Sequence, residues 1–251
     1  MNNTRNYLSA PQFYGVTDGF YEGLQKAIYG INDQRGIFAA DNLISLNRNL
    51  SFLDNQKFMD AVKRHSEGPE EAAIIWRMFV QLWAIYNGLH LEGDFVECAC
   101  YKGITARILC DTIGFEQYQD KKYYLYDLFE HTDDMVHHAL PEHSQDLFEI
   151  VKNRFTDYPN VEVIKGFVPD VLLENAPEKI AFMNLDLNNA PAEIGALNVL
   201  FDRMVPGAIL VLDDYGWLWY RAQKEAEDPW FLERGYHVLE LPTGQGLVIK
   251  R

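Results

Sequence analysis

Two hydrophobic periodicities divide the chain near residue 92. Before it, the periodic stretches repeat at helical spacing. After it, short apolar runs alternate with helical stripes. In the first part, FYEGLQKAIYGI reads as a short helix. Asp54 is placed to cap a helix beginning near Asn55, because a carboxylate accepts hydrogen bonds from the free backbone N–H groups there. Phe58, Met59, Ala61 and Val62 then form one apolar stripe. Pro69, with Glu70 and Glu71 behind it, starts a long helix that stops near Asn87-Gly88. Residues 1–92 are thus expected to form a helical cap, with Tyr7, Phe13, Tyr14, Phe20 and Tyr21 mostly packing its amino-terminal segment.

From Gly93 the expected strands are DFVECA, KKYYLYDLF, VEVIKGF, KIAFMNLDL and GAILVLDDYG. Between them lie helical stretches: ITARILCDTIG, SQDLFEIVKNRF, a short helix through Leu172, and AEIGALNVLFDRM, stopped by Pro206-Gly207. A short helix, DPWFLERG, follows the fifth strand. This alternation predicts an α/β fold with a doubly wound, mostly parallel, Rossmann-like sheet over residues 93–251. The chain closes with YHVLELP and GLVIK, joined by TGQG. A turn that short joins only antiparallel strands, so the last of seven strands runs against the rest. That reversed hairpin marks the S-adenosylmethionine-dependent methyltransferase sheet, and NAD-binding sheets usually lack it.

Composition narrows the partners. A formal charge of −15 repels phosphate backbones and argues against nucleic-acid binding. No Lys/Arg cluster suggests an anionic membrane surface. The longest apolar run, residues 72–90, is interrupted by Arg77, Gln81, Asn87 and His90, so a packed helix is expected and not a membrane span. Cys98, Cys100 and Cys110 are an odd number, and no secretory signal opens the sequence. They are expected as small buried apolar residues of a cytoplasmic protein. Apolar helices in the cap leave room for a homo-oligomer.

Carboxylates fall where strands end. Glu97 follows the first apolar run, Asp127 the second, Asp186 the fourth, and Asp213-Asp214 the fifth. In an open α/β sheet, small ligands bind at this edge. An acid after the second strand bonds a ribose diol, and a glycine turn admits a ligand close to the backbone. Glu97 repels a pyrophosphate but attracts an ammonium or sulfonium, which favours S-adenosylmethionine over NAD. The cofactor site is therefore expected at Glu97, Cys98, Ala99, Tyr101, Gly103 and Thr105 after the first strand. Asp127, Leu128 and Phe129 join it from the second strand, Gly166 and Phe167 from the third, and Asp186 from the fourth.

Strands four and five are neighbours in this topology, which brings Asp186, Asp213 and Asp214 together. Three clustered anions repel unless a cation binds or protons are taken up. Mg²⁺, a hard ion with oxygen ligands, suits them. It can chelate two neighbouring acceptor oxygens and lower the pKa of one hydroxyl. The competing reading has Asp213 bonding backbone N–H groups and Asp214 facing water. Adjacent residues on an extended strand point to opposite faces, so both can ligate only once the strand has ended. Tyr215-Gly216 supplies the expected end. His131, His137, His138 and His143 lie in EHTDDMVHHALPEH, a segment that overhangs the same edge. His143, just before the next helix, is the candidate general base. The others read as a solvated loop.

VECACYKG resembles the first motif, VE-x-G-V-Y-x-G-G, of the macrocin O-methyltransferase (TylF-type) family. IAFMNLDLNNAPAEIGALNVLFDRMVPGAILVLDDYG resembles that family's fourth-to-fifth strand block, and DNLISLNRNLSFL fits its amino-terminal part. The resemblance implies the class I methyltransferase fold, S-adenosylmethionine, Mg²⁺ dependence and methylation of sugar hydroxyls in natural-product pathways. It also implies that Asp186, Asp213 and Asp214 hold the metal, and that Glu97, Tyr101, Gly103 and Asp127 belong to the cofactor site. Ala99 and Ile104 depart from the pattern, standing where glycines are frequent. Asp186-Leu187-Asn188 departs from the usual D-x-D, whose second aspartate is the family's candidate base. Asparagine cannot take a proton at neutral pH. Asn188 is expected to orient the small-molecule acceptor or ligate through its amide oxygen. The base then lies elsewhere, as at His143, or is not needed. The expected activity is a Mg²⁺-assisted O-methyltransfer to a sugar or similar polyol-like acceptor. The alternatives are a metal-independent N- or carboxyl-methyltransferase, or a cofactor-binding protein without turnover.

Overall fold

The computed structural model describes residues 5–131, 141–144 and 146–251. The chain separates into two compact units, residues 1–79 and 80–251. The first holds α1 (Asp18–Tyr29), β1 (Phe38–Ala40), β2 (Leu43–Ser45), α2 (Gln56–His65) and α3 (Pro69–Ala73), and α4 (Ile75–Gly88) begins within it. It is not wholly helical. β1 and β2 pair antiparallel around Asp41 and Asn42, whose φ angles of 51° and 54° match a two-residue turn with both central residues left-handed. Asn55, rather than Asp54, caps α2: its Oδ1 accepts from Phe58 N–H at 3.2 Å, while Asp54 accepts from Arg5 Nε at 2.6 Å. The helix expected from Pro69 breaks at Ile74 into α3 and α4. Tyr7 stacks on Phe38, ring centroids 5.5 Å apart, as a packing residue.

The second unit holds β3 (Asp94–Cys98), α5 (Ile104–Ile113), β4 (Tyr123–Asp127), α6 (Leu147–Arg154), β5 (Val161–Lys165) and α7 (Leu172–Asn175). It continues with β6 (Ile180–Leu185), α8 (Ala190–Leu200), β7 (Met204–Leu212), α9 (Arg221–Glu233), β8 (Leu239–Glu240) and β9 (Gly246–Ile249). Seven strands form one sheet in the order β5-β4-β3-β6-β7-β9-β8. β9 runs antiparallel to both β7 and β8, and the other pairs are parallel. The reversed last strand is thus inserted between β7 and β8, as the TGQG turn requires. All six residues of β6 are buried, which explains why all but Asn184 are apolar. From β3 the chain winds outward through β4 and β5, then returns to β6 on β3's other side. Such a reversal opens a crevice at the carboxyl ends of the two central strands.

Two boundaries differ from expectation. Pro206-Gly207 does not stop a helix, because α8 ends at Leu200 and β7 already begins at Met204. The β6–β7 register shifts between the Ile180–Met204 and Phe182–Ile209 pairs, and this irregularity accommodates a proline that cannot donate to the ladder. α9 contains Pro229 instead of starting near it. Trp230 and Phe231 are buried in the core beyond the proline, so packing holds the helix together across the missing N–H. Cys98, Cys100 and Cys110 are free thiols, all buried. Among the described residues, no helix is long and apolar enough to cross a membrane.

Candidate active site

The turn after β3 bends through left-handed backbone three times, with φ of 67° at Ala99, 49° at Tyr101 and 67° at Gly103. Gly103 is needed: besides its φ, an added Cβ would lie 3.0 Å from the Phe155 and Val151 side chains. Ile104 starts α5 in helical conformation and is buried, so the glycine frequent at its position is not required here. Ala99 carries the strain that a glycine would relieve. Asp127 locks this turn to β4. Its Oδ2 accepts from Tyr101 N–H at 2.7 Å and its Oδ1 from Phe129 N–H at 2.6 Å.

Glu97 is the penultimate residue of β3, since the strand runs on to Cys98. It is buried, and Tyr123 donates its hydroxyl to Oε2 at 2.6 Å. Burial pushes the Glu97 carboxyl up to about 7; the Tyr123 bond opposes this, and the charges of Asp213 and Asp127 add to it. Cys98 turns its side chain into the hydrophobic core, and its carbonyl accepts from Asp186 N–H at 3.1 Å. Thr105 and Leu128 are half-buried, Phe129 is buried, Gly166 follows β5, and Phe167 is exposed beyond it.

Asp186 immediately follows β6, and Asp213-Asp214 immediately follow β7. One carboxylate oxygen from each lies within 4.8 Å of the others. Both strands have ended before these residues, so Asp213 and Asp214 escape the alternation that would split them across the sheet. Asp214 is buried, not facing bulk water, and Asp213 accepts at Oδ1 from Gln245 Nε2 at 2.8 Å. Gln245 is itself fixed, its Oε1 accepting from the Thr243 hydroxyl at 3.0 Å. Asn188 has a φ of 53°, and its buried Oδ1 has no hydrogen-bond partner among the described residues. Oxygen donors at this spacing, with an orphaned amide oxygen two residues from Asp186, suit a hard divalent ion and an oxygen-bearing acceptor.

Beneath this loop lies Glu193, which the sequence analysis did not single out. Its Oε1 accepts from Leu187 N–H at 2.8 Å and from Gln223 Nε2 at 2.9 Å. Burial raises the carboxyl of Glu193 and that of its neighbour Glu227 well above the usual carboxylate range, and repulsion from Glu193 adds to the rise at Glu227. Tyr123 and Gln245 were also missed. His143 lies at the turn after β3, edge-on to the Tyr101 ring at 5.3 Å and stacked with His131 at 6.1 Å. It is not part of the aspartate cluster. His137 and His138 lie outside the described residues.

An antiparallel strand inserted beside the sheet edge sets this fold apart from dinucleotide-binding sheets. It is the class I methyltransferase architecture, and the chain is an S-adenosylmethionine-dependent methyltransferase. Residues 84–228, more than half of the sequence, match the macrocin-O-methyltransferase (TylF) family, and the chain belongs to that family. The fold is shared with the O-methyltransferase NovP at 16% identity and a TM-score of 0.60, over 70% of this chain and 80% of that one. CalS11, a TDP-rhamnose 3'-O-methyltransferase of calicheamicin biosynthesis, gives 14% and 0.55 over 82% and 96%. TomG of Streptomyces achromogenes, solved with S-adenosylmethionine, gives 13% and 0.51 over 78% and 90%. No curated protein sequence matches the chain.

Proposed function

We propose that the protein methylates a hydroxyl of a sugar or similar polyol-like natural-product intermediate, with Mg²⁺ held by Asp186, Asp213 and Asp214. The observation that carries this reading is the trio of carboxylate oxygens within 4.8 Å at the ends of β6 and β7. β6 is the immediate neighbour of β3, whose turn forms the cofactor corner. When bound, S-adenosylmethionine supplies the electrophilic methyl group and Mg²⁺ supplies Lewis-acid polarisation of the acceptor hydroxyl. The chain's own part is alignment and proton handling. Ionised Glu97 attracts the cationic end of the cofactor, and Asp127 holds the turn against which the nucleoside lies. The unpartnered Asn188 Oδ1 accepts from an acceptor hydroxyl and orients it. Proton removal falls to His143, the imidazole at the Tyr101 end of the edge. The sugar acceptor has support from CalS11, which shares the fold and acts on TDP-rhamnose.

The test is calorimetric titration of Mg²⁺ into protein saturated with S-adenosylhomocysteine, beside transfer of labelled methyl to a panel of glycosides. Asp214→Ala is expected to abolish Mg²⁺ binding and to lower transfer by at least about 100-fold, while leaving S-adenosylhomocysteine affinity within about threefold. Undiminished transfer in excess chelator would remove the metal from the reading and favour the metal-independent alternative, which the asparagine at 188 keeps open.

A further inference from the structure

The segment leaving the aspartates carries two tryptophans that the proposed chemistry does not use. Trp217 donates its backbone N–H to the Asp214 carbonyl at 3.1 Å, so a tight turn joins it to the cluster. Its indole lies over Gly244. A Cβ there would sit 2.3 Å from the Trp217 Nε1, and Gly244 has a φ of 84°, so both space and backbone demand glycine. The turn is tied down again where Gly216 N–H bonds to the Gly244 carbonyl at 2.7 Å. Trp219 stacks on this fixed indole at 16° and 5.8 Å, yet the residue is 62% exposed. Leu218 beside it is 87% exposed. A large apolar ring is thus held in place and open to solvent, five residues beyond a carboxylate of the cluster.

We infer that Trp219 is the stacking platform for the acceptor ring. The inference rests on the reading of the aspartate edge as the place where the acceptor binds, with or without the metal. A ligand meeting both features needs adjacent oxygens on one edge and an apolar face beside them. A pyranoside with a vicinal diol has both, and so does a catechol; a linear polyol has the oxygens but no face. Stacking on a preorganised indole adds affinity at little ordering cost. A second copy of this chain could cover the same residues, and the test separates the two.

The probes are methyl α-rhamnopyranoside, 4-methylcatechol and glycerol. Their affinities are measured by ligand-observed NMR on the full chain with S-adenosylhomocysteine and Mg²⁺, for wild type, Trp219→Ala and Trp219→Phe. At least one ring probe is expected to bind about tenfold more weakly to Trp219→Ala, to recover most of its affinity in Trp219→Phe, and glycerol to be unaffected. The two ring arms tell a sugar acceptor from an aromatic one. Equal ring affinity in wild type and Trp219→Ala overturns the inference, as does binding of neither ring to wild type. So does a drop in sedimenting mass for Trp219→Ala with ring affinity unchanged, since the patch would then be a contact between copies. Mg²⁺ and S-adenosylhomocysteine affinities, measured in the same samples, report separately on the metal reading. If Mg²⁺ fails to bind while the ring probe still depends on Trp219, the metal reading falls and the platform stands.

Discussion

Glu97 gives a sharp test of how burial sets the charge at the end of β3. Its folded-state carboxyl titrates at about 7 against an ordinary value of 4.5, and burial is the main cause. Below about pH 4.5 the group is neutral whether the chain is folded or not, and it contributes nothing to the pH dependence of stability. Between 4.5 and 7 the folded protein keeps a proton that the unfolded chain has lost, so stability falls as pH rises. Above 7 both states are ionised and the full penalty is present, about 3 kcal/mol. Glu97→Gln removes the titration but keeps an oxygen to accept from Tyr123. Urea unfolding of the cofactor-free protein at pH 5 and pH 8 gives the difference between variant and wild type at each pH. Groups that titrate in both proteins, Glu193 and Glu227 among them, largely cancel in that comparison. The variant's advantage should grow by about 2.5 kcal/mol from pH 5 to pH 8. A difference that stays flat with pH, or shrinks, would refute the argument that burial holds this carboxyl neutral. The ionised form is the one that the proposed cofactor role needs, since only it attracts an ammonium or sulfonium.

Two further outcomes follow from the same edge. Ala99→Gly should raise stability by about 0.5–1 kcal/mol, because relief of the left-handed strain at φ 67° exceeds the added freedom of the unfolded chain; a thermal melt that moves down instead would contradict it. Gln245→Leu removes the donor to Asp213 and the acceptor for Thr243, and should cost about 2–3 kcal/mol in urea unfolding and weaken Mg²⁺ binding; unchanged stability would show that the buttress is not needed.

The legible and illegible parts of this site divide along a physical line. The acids could be read because strand ends are local features: each lies where an apolar run stops, and the parallel topology places every such stop on one edge. The reversed hairpin could be read because TGQG is too short for a crossover. The groups that make those acids tolerable could not be read. Tyr123, which bonds Glu97, stands 26 positions away, and Gln245, which bonds Asp213, stands 32 away. Both looked like ordinary residues of a strand and a turn, because a hydrogen-bond partner across a sheet leaves no periodic trace. Glu193 misled for a related reason. An acid four residues after Asn189, in the first turn of α8, has a sufficient local explanation in the helix dipole. Only its burial against Leu187 and Gln223 shows that it holds the loop between Asp186 and Asn188 from below. Ala99 failed in the opposite direction: motif reasoning noted a missing glycine, but only the backbone angle shows that the alanine was forced into the glycine's conformation rather than the turn being rebuilt around it. Buried carboxylates without donors are expensive. Wherever a sequence puts acids on a closed edge, a donor set of this kind must exist, even though the sequence does not say where.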